Sequence, residues 1–477
     1  MRAHRRFSPM TASSNQPLGG LDAAFLYLES PTMPLHVGLL AVLEPPADGD
    51  ASAIDRLRAL LAERMDRVPV LRQRLRFPMV GLLPAVWVDD PAFDLANHVL
   101  AGPVLADLSP ESIAVAAGDL LRHQLPRDRP LWEIYVIEAA GDPRVAVIAK
   151  VHHSLLDGVA GLELFAELID LTPEAPTTSP PPDRDATNAP AANPIVSSLS
   201  ALVRTQRRVL GQVGTQLSKV RLRRDDAPES TSSLRTLVAA APRTTMTRPV
   251  GPRRAVALAS LDMDDVALVR KGVGGTVNDV VLAMCGGAMR HYLGEDDLPA
   301  EPLVAAVPVS VRGSDDESSR GNQLSVMLVP LATDLADPRD RLEAITASSQ
   351  QAKRDQAGLP ALGILTDVVS TLSPSLGSRA GGVLSRALGR GWPTLPCNLV
   401  VSNVPCPPFT TYLAGMEVAA IHPLGPIIDS VPLNITVLSH RNRLEVGITA
   451  CPAAVRGHER LPFLLGVALD ELTAAAH

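Results

Sequence analysis

Apolar positions along this chain follow two rhythms, and their alternation predicts an α/β protein. Val145-Ala146-Val147-Ile148-Ala149-Lys150-Val151 is a short run rich in β-branched residues, the composition of a strand. Leu303 to Val309, Leu324 to Leu331, Asn398 to Val404, Leu433 to Leu438 and Leu444 to Ile448 have the same character. Elsewhere apolar residues recur three and four apart, which lines one face of a helix. That spacing predicts helices over Ile54 to Met65, Ser112 to Gln124, Val159 to Leu171, Val277 to Leu293, Arg339 to Lys353 and Glu459 to Ala475. No internal sequence repeat relates the two halves.

The rhythm breaks after residue 172. Pro173 to Pro194 holds seven prolines among Thr, Ser, Asp and Asn, so it reads as a linker without a core. Ile195 to Arg224 then returns to helical spacing, with apolar Ile195, Leu199, Leu202, Val203, Val209, Leu210, Val213, Leu217 and Val220. Its polar positions are basic: Arg204, Arg207, Arg208, Lys219, Arg221, Arg223 and Arg224. Two readings stand: a brace packed on the domains with a solvated face, or a helix lying on an anionic membrane or lipid-droplet surface. Gly211 and Gly214 weaken it as an isolated helix. Asp225 to Val250 reads as a second loose connection. A chain of 477 residues is too long for one ordinary core. The expected division is 17–172, a linker over 173–252, and 253–477.

Composition removes several function classes. The net charge of −7 gives no support for nucleic-acid binding. The four cysteines, Cys285, Cys397, Cys406 and Cys451, have no close paired spacing, which fits buried thiols in a reducing cytoplasm. Met1 to Met10 carries Arg2, Arg5 and Arg6 with no apolar core behind it, unlike a secretory signal, and Met10 is an alternative start. No apolar run reaches the length of a membrane span, so lipid contact is expected to be peripheral, at the inner membrane face or lipid droplets.

The densest chemistry is His152-His153-Ser154-Leu155-Leu156-Asp157-Gly158, directly after the strand over 145–151. Side chains alternate across a strand, so only one of two adjacent histidines faces a given channel. A neutral imidazole there is suited to take a proton from a hydroxyl. A lone histidine at a strand end is usually structural, but four specified residues at fixed spacing point to chemistry. Zinc would need further ligands, and no Cys-x-x-Cys or His-Glu-x-x-His supplies them. Asp157 and Gly158 open the helical pattern after the motif, so they serve as cap and turn as well as site residues. Ser154 reads as a turn residue, since no Gly-x-Ser-x-Gly elbow is present. Gly272-Val273-Gly274-Gly275 is a turn rather than a dinucleotide fingerprint, because Val277 takes the third glycine's place. Asn278, at the predicted start of a helix, is a candidate donor to a developing oxyanion, with a plain helix cap as the alternative.

The His-His-x-x-x-Asp-Gly pattern resembles the CoA-dependent acyltransferase superfamily, and more closely the bacterial wax ester synthase/diacylglycerol acyltransferases. The likeness runs from about residue 17 to the C-terminus. It includes Leu21-Asp22-Ala23-Ala24-Phe25, Pro34-Leu35-His36-Val37-Gly38, Pro130-Leu131-Trp132-Glu133 and Thr276-Val277-Asn278-Asp279. Pro308-Val309-Ser310-Val311-Arg312, Gly321-Asn322-Gln323-Leu324-Ser325, Ser402-Asn403-Val404-Pro405 and Pro432-Leu433-Asn434-Ile435 extend it. Cys406 stands where the family usually has Gly, Thr449-Ala450-Cys451 where an Asp is expected, and Thr247 where an Asn is expected.

The resemblance implies two chloramphenicol-acetyltransferase-like α/β domains with mixed sheets, joined by the long linker. It implies transfer of a long-chain acyl group from acyl-CoA, as co-substrate, to diacylglycerol or a long-chain alcohol, with no metal and no prosthetic group. His153 would be the general base and Asn278 the oxyanion donor, in a site between the halves. His152 would hold the backbone, and Trp132 and Glu133 would be framework. Asp157 would fix the motif loop through an ion pair, with Arg312 a candidate partner. Two alternatives stay open: a carrier-dependent condensation or polyketide-associated acyltransferase, and a lipid-binding protein without turnover.

Overall fold

The computed structural model describes residues 16–18, 20–46, 52–77, 85–155, 164, 166–173, 241–310, 324–354, 395–404, 406 and 408–476. In chain order the elements before the linker are β1 (Gln16–Pro17), α1 (Gly20–Leu28), β2 (His36–Leu43), α2 (Ala53–Arg64), β3 (Gln73–Arg76) and β4 (Val86–Asp89). They continue as β5 (Val99–Leu105), α3 (Pro110–Leu121), β6 (Trp132–Ala139) and β7 (Asp142–His152). After the linker come β8 (Ala255–Asp262), α4 (Met263–Val273), α5 (Val277–Asp297), β9 (Val304–Ser310), β10 (Leu324–Pro330) and α6 (Pro338–Arg354). The last elements are β11 (Leu399–Val404), β12 (Tyr412–Leu413), β13 (Met416–Leu424), β14 (Leu433–His440), β15 (Arg443–Ala450) and α7 (Leu461–Ala475).

Local chemistry sets most boundaries. The helix expected from Ile54 begins at Ala53 because Ser52 caps it, its Oγ accepting the Asp55 N–H at 3.3 Å. The helix expected from Ser112 begins at Pro110, where Ser109 Oγ accepts the Ser112 N–H and a proline occupies the first turn. That helix stops at Leu121, short of the expected Gln124. The helix expected over Val277 to Leu293 continues to Asp297 across a break at Gly294. Of the helix expected over Val159 to Leu171, Leu164 and residues 166–168 are helical and 156–163 lie outside the described residues. The segment Ile195 to Arg224 also lies outside them.

Two six-stranded mixed sheets make the frame. One runs β10-β9-β11-β14-β15-β8, the other β12-β13-β2-β7-β6-β5, and β1-β4-β3 forms a small third sheet. The first of these comes wholly from residues after the linker. In the other, β13 pairs antiparallel with β2, so a strand from near the C-terminus completes the sheet that carries the histidines. Where β13 ends it crosses β15. Gly447 permits this, because a methyl there would run into the carbonyl oxygen of Pro423. The ring of His422 donates from Nδ1 to the Val446 carbonyl at 3.2 Å at the same crossing. The lobes are therefore interleaved along a strand.

Their cores differ in character. In the later lobe, Val280, Val281, Leu282, Ala283, Met284 and Cys285 of α5 are sealed among β9, β11, β14, β15, α6 and α7. In the earlier lobe, charged groups share the interior with apolar clusters. Arg64 grips Asp170 through two 2.7 Å bonds, with both side chains buried. Asp170 also exchanges both main-chain hydrogen bonds with Tyr412, each 2.8 Å. The end of the segment after the histidine motif is thus pinned between α2 and β12.

Candidate functional site

Strand β7 delivers the histidines to a tight turn. Its residues Ala146, Ile148, Lys150 and His152 face α3, while Val145, Val147 and Val151 face the cluster under α2. His152 is the last strand residue. The Leu155 N–H returns to the His152 carbonyl at 2.9 Å, leaving His153 and Ser154 as the two central residues of the turn. The turn is anchored on both sides, by the His152 N–H to the Leu131 carbonyl and the His153 N–H to the Leu35 carbonyl, each 3.0 Å.

The two rings meet different surroundings. His152 is 1% exposed. Its Nδ1 accepts the Ser154 N–H at 3.1 Å and lies 2.7 Å from the Ser154 hydroxyl. Burial first, then the positive charge of Arg127, pushes its pKa down to about 3, so the ring stays neutral. His153 is partly exposed and lies flat on Phe25, with ring centroids 4.1 Å apart and planes 14° from parallel. Phe25 and Leu28 in turn pack on the large apolar core around α5. The His153 ring therefore stands where the earlier lobe abuts the later one.

A polar frame backs this turn. His36 sits directly opposite His152 in the β2–β7 register and donates from Nε2 to the Leu121 carbonyl at 2.6 Å. Burial and the Lys150 charge hold its pKa well below the ordinary value. Lys150, 1% exposed, lies 2.9 Å from Glu133 and donates to the carbonyls of Leu120 and His123. Tyr135 donates to the same Glu133 oxygen at 2.8 Å. The last carbonyls of α3, which lack helical partners, are thus tied down by a buried cation and an imidazole. Trp132 stacks on His98 with centroids 4.4 Å apart and donates from Nε1 to the Leu71 carbonyl at 2.8 Å. The Pro-Leu-Trp-Glu stretch supplies this frame: Leu131 anchors the turn, Trp132 fills the core and Glu133 neutralises Lys150.

The second candidate group lies at the start of α5. Helix α4 ends at Gly274, which takes a left-handed conformation (φ 64°) and returns its N–H to the Arg270 carbonyl. Thr276 then caps α5. Its Oγ1 accepts the Asp279 N–H, and Asp279 Oδ2 accepts the Thr276 N–H at 2.8 Å and hydroxyl at 2.7 Å. The cap is therefore Thr276. Asn278 is the second residue of the helix, half-buried, with its side chain not spent on capping. Asp157, Gly158 and Arg312 lie outside the described residues. Among the described residues no group of three His, Cys, Asp or Glu side chains could hold a metal ion. The four cysteines are free thiols, and burial pushes Cys285 up to about 12.

Sequence reasoning left Glu29 and Arg127 unnoticed and gave Phe25 and His36 no role. The Phe25–Glu29 spacing of one helical turn was the available signal. Arg127 carried none, because its contact with Glu29 joins residues 98 apart in the chain.

Residues 18–281 match the model of the wax ester synthase/diacylglycerol acyltransferase catalytic domain, a span that contains both histidines and Asn278. Residues 320–473 match the C-terminal domain of the same family. A Mycobacterium tuberculosis protein bearing the name diacylglycerol O-acyltransferase is 36% identical over 457 residues, 94% of this chain and 88% of that one. Another from the same organism, with the same activity name, is 32% identical over 95% of this chain and 98% of its own length. Among solved structures, the wax ester synthase/diacylglycerol acyltransferase of Marinobacter aquaeolei VT8 aligns with a TM-score of 0.68 and 26% identity, covering 97% of this chain and all of that one. A trichothecene 15-O-acetyltransferase from Fusarium sporotrichioides, 12% identical with a TM-score of 0.58, covers 97% of this chain and 94% of its own and shares the fold. The architecture is thus that of paired chloramphenicol-acetyltransferase-like lobes with mixed sheets.

Proposed function

We propose, for a chain that belongs to the wax ester synthase/diacylglycerol acyltransferase family, that it moves a long-chain fatty acyl group from acyl-CoA to the free hydroxyl of diacylglycerol, releasing triacylglycerol and CoA. The observation that carries the reading is the division of labour between two adjacent histidines. His152 is sealed and its Nδ1 is already occupied, whereas His153 is partly open at the junction of the lobes.

A neutral alcohol is a poor nucleophile. As its oxygen attacks the thioester carbonyl carbon, His153 takes the hydroxyl proton, the C–O bond forms and a tetrahedral oxyanion develops. Collapse of that intermediate breaks the C–S bond, and the imidazolium returns its proton to the departing CoA sulfur. A positioned base of this kind contributes about 10²–10⁴-fold. Attack is direct, without an acyl-enzyme. Asn278, with its amide beside the positive end of α5, donates to the oxyanion, and losing one such donor costs about 2.7–4 kcal/mol of transition-state stabilisation. Asp157 and Arg312 are assigned to an ion pair that fixes the motif loop, and Gly158 to its turn. Fatty alcohols are a second acceptor class, giving wax esters.

Contact with lipid is peripheral in this reading. No helix among the described residues is long and apolar enough to cross a membrane. The apolar and basic positions of Ile195 to Arg224 suit an anionic membrane or droplet surface. Deleting that segment is expected to weaken binding to anionic vesicles, as is high salt. Unchanged binding would leave the segment a brace.

The test of function is one labelled long-chain acyl-CoA offered with diacylglycerol, monoacylglycerol and fatty alcohol in turn, to the wild type and to His153→Ala. Ester formation with diacylglycerol that disappears in the variant is expected. Full activity in His153→Ala would overturn the base assignment. Turnover only from carrier-bound thioesters would favour the condensation reading, and lipid binding without turnover the non-catalytic one.

A further inference from the structure

The end of α1 and the residue that follows it lie against both histidines. Phe25 and Glu29 stand one helical turn apart, and the Glu29 N–H is bonded to the Phe25 carbonyl at 3.1 Å. Phe25 covers the face of His153, while Glu29 reaches the edge of His152.

The atoms at that edge are specific. Because Nδ1 of His152 accepts the Ser154 N–H, the single proton of the neutral ring belongs on Nε2. Nε2 faces Glu29 Oε1 at 3.6 Å, with both side chains 1% exposed. Neither atom has a hydrogen-bond partner among the described residues. The other carboxylate oxygen is taken, since Oε2 accepts from Arg127 Nη2 at 2.7 Å. Arg127 also donates to the Leu26 carbonyl at 3.1 Å, which ties it to the same helix. A buried donor and a buried acceptor that face each other, with no competitor for either among the described residues, are costly apart and stable together. The lowered pKa of His152 means that the carboxylate governs which nitrogen carries the proton rather than whether the ring is charged.

We infer that Glu29, held by Arg127, is a positioning residue for acyl transfer. It fixes His152 as the Nε2–H tautomer and so keeps Nδ1 as the acceptor that shapes the turn presenting His153. With the proton on Nδ1, the Ser154 N–H would face a second donor and the turn would have to open. Displacement of a reacting group by an ångström costs about 10²-fold in rate. The catalytic consequence rests on His153 acting as the base, whereas the tautomer does not.

The test uses the full-length protein labelled with ¹⁵N-histidine, whose ring nitrogen shifts report the tautomer. The His152 signals are identified by their loss in His152→Gln and their displacement in Ser154→Ala. The wild type is expected to show the Nε2–H form throughout neutral pH. Glu29→Gln replaces one of the two carboxylate oxygens by an NH2 donor, so the side chain can no longer accept at both the Arg127 and the His152 positions. It is expected to populate the other tautomer and to lower kcat about 10- to 100-fold with little change in KM for acyl-CoA. Arg127→Lys keeps a cation beside the carboxylate and should retain most of kcat, while Arg127→Met should fall with Glu29→Gln. A wild-type ring protonated on Nδ1 would overturn the inference. So would a Glu29→Gln protein with unchanged tautomer and turnover. Failure of the base assignment is read separately, as full activity in His153→Ala.

Discussion

Helix α5 in the later lobe and strand β7 in the earlier one are both buried, yet they are buried in opposite chemistry. From Val280 to Cys285 every side chain of α5 is apolar and sealed. Along β7, Lys150 and His152 are just as deep, and His36, Glu133, Arg64 and Asp170 share that lobe's interior. Apolar packing is non-directional and yields a rigid wall. Buried polar groups must be satisfied at particular angles, so they dictate geometry more than they add stability. The earlier lobe uses them where a turn must hold an imidazole in one place. The later lobe also buries polar groups, Arg341, His440 and Glu445 among them, but at the mouth of α5 the capping box leaves Asn278 free of capping.

Mutations can break this contrast. The largest effect is expected from Asp170→Ala, which strands the buried Arg64 charge and should cost about 3–5 kcal/mol in denaturant unfolding. Replacing both partners with Met and Leu should recover most of that loss, because the pair supplies geometry more than stability. Leu282→Ala in α5 should cost about 2–5 kcal/mol through the cavity it leaves, with no dependence on pH.

The earlier lobe, by contrast, should be acid-sensitive. His36 and His152 are held neutral in the fold, as is His422 at the lobe crossing, pushed down to about 4. The unfolded chain takes up protons at these rings below an ordinary pKa of 6.5, and the folded protein does not. Stability is therefore intact at neutral pH and is lost as pH falls below 6.5, by up to ~1.4 kcal/mol per pH unit for each ring. Glu445, pushed up to about 7 by burial, works in the opposite direction and gains stability as pH falls through 7. Burial also lowers the pKa of His98 and of His440, so five rings stand against one carboxyl and leave a net acid loss. Melting temperatures across pH 7 to 5 in wild type, His152→Gln and Leu282→Ala should show it, with the slope reduced only in His152→Gln.

The smallest stability effect separates the two residues at the start of α5. Thr276→Ala should cost about 0.5–2 kcal/mol as the cap is lost, while Asn278→Ala should leave stability unchanged and lower turnover. Loss of stability in Asn278→Ala would return that residue to a structural role.

What the sequence revealed was what is local. The strand ending at the histidines, the helix from Val277 and the glycine turn before it each depend on neighbours within a few residues, whereas the cap, expected at Asn278 if anywhere, is Thr276. Arg64 with Asp170 and Arg127 with Glu29 were hidden, because each pair is joined only by folding and neither partner interrupts a pattern. Lys150 was the visible exception, a lysine inside an apolar strand, and such a residue calls for a buried carboxylate. Glu133, in the neighbouring strand, is that partner. The insertion of β13 beside β2 could not be read either. It pairs segments from opposite ends of the chain and depends on a bare glycine at Gly447.

The central claim is that adjacent histidines divide structure from chemistry, and turnover with thermal unfolding of His152→Ala and His153→Ala measured side by side tests it most directly. With long-chain acyl-CoA and diacylglycerol as substrates, His153→Ala should melt like the wild type and lose about 10²–10⁴-fold in rate. His152→Ala should be destabilised by about 1–3 kcal/mol, because the Ser154 N–H and the Glu29 carboxylate lose their buried neighbour. Wild-type turnover in His153→Ala, or an inactive His152→Ala with unchanged melting, would contradict it.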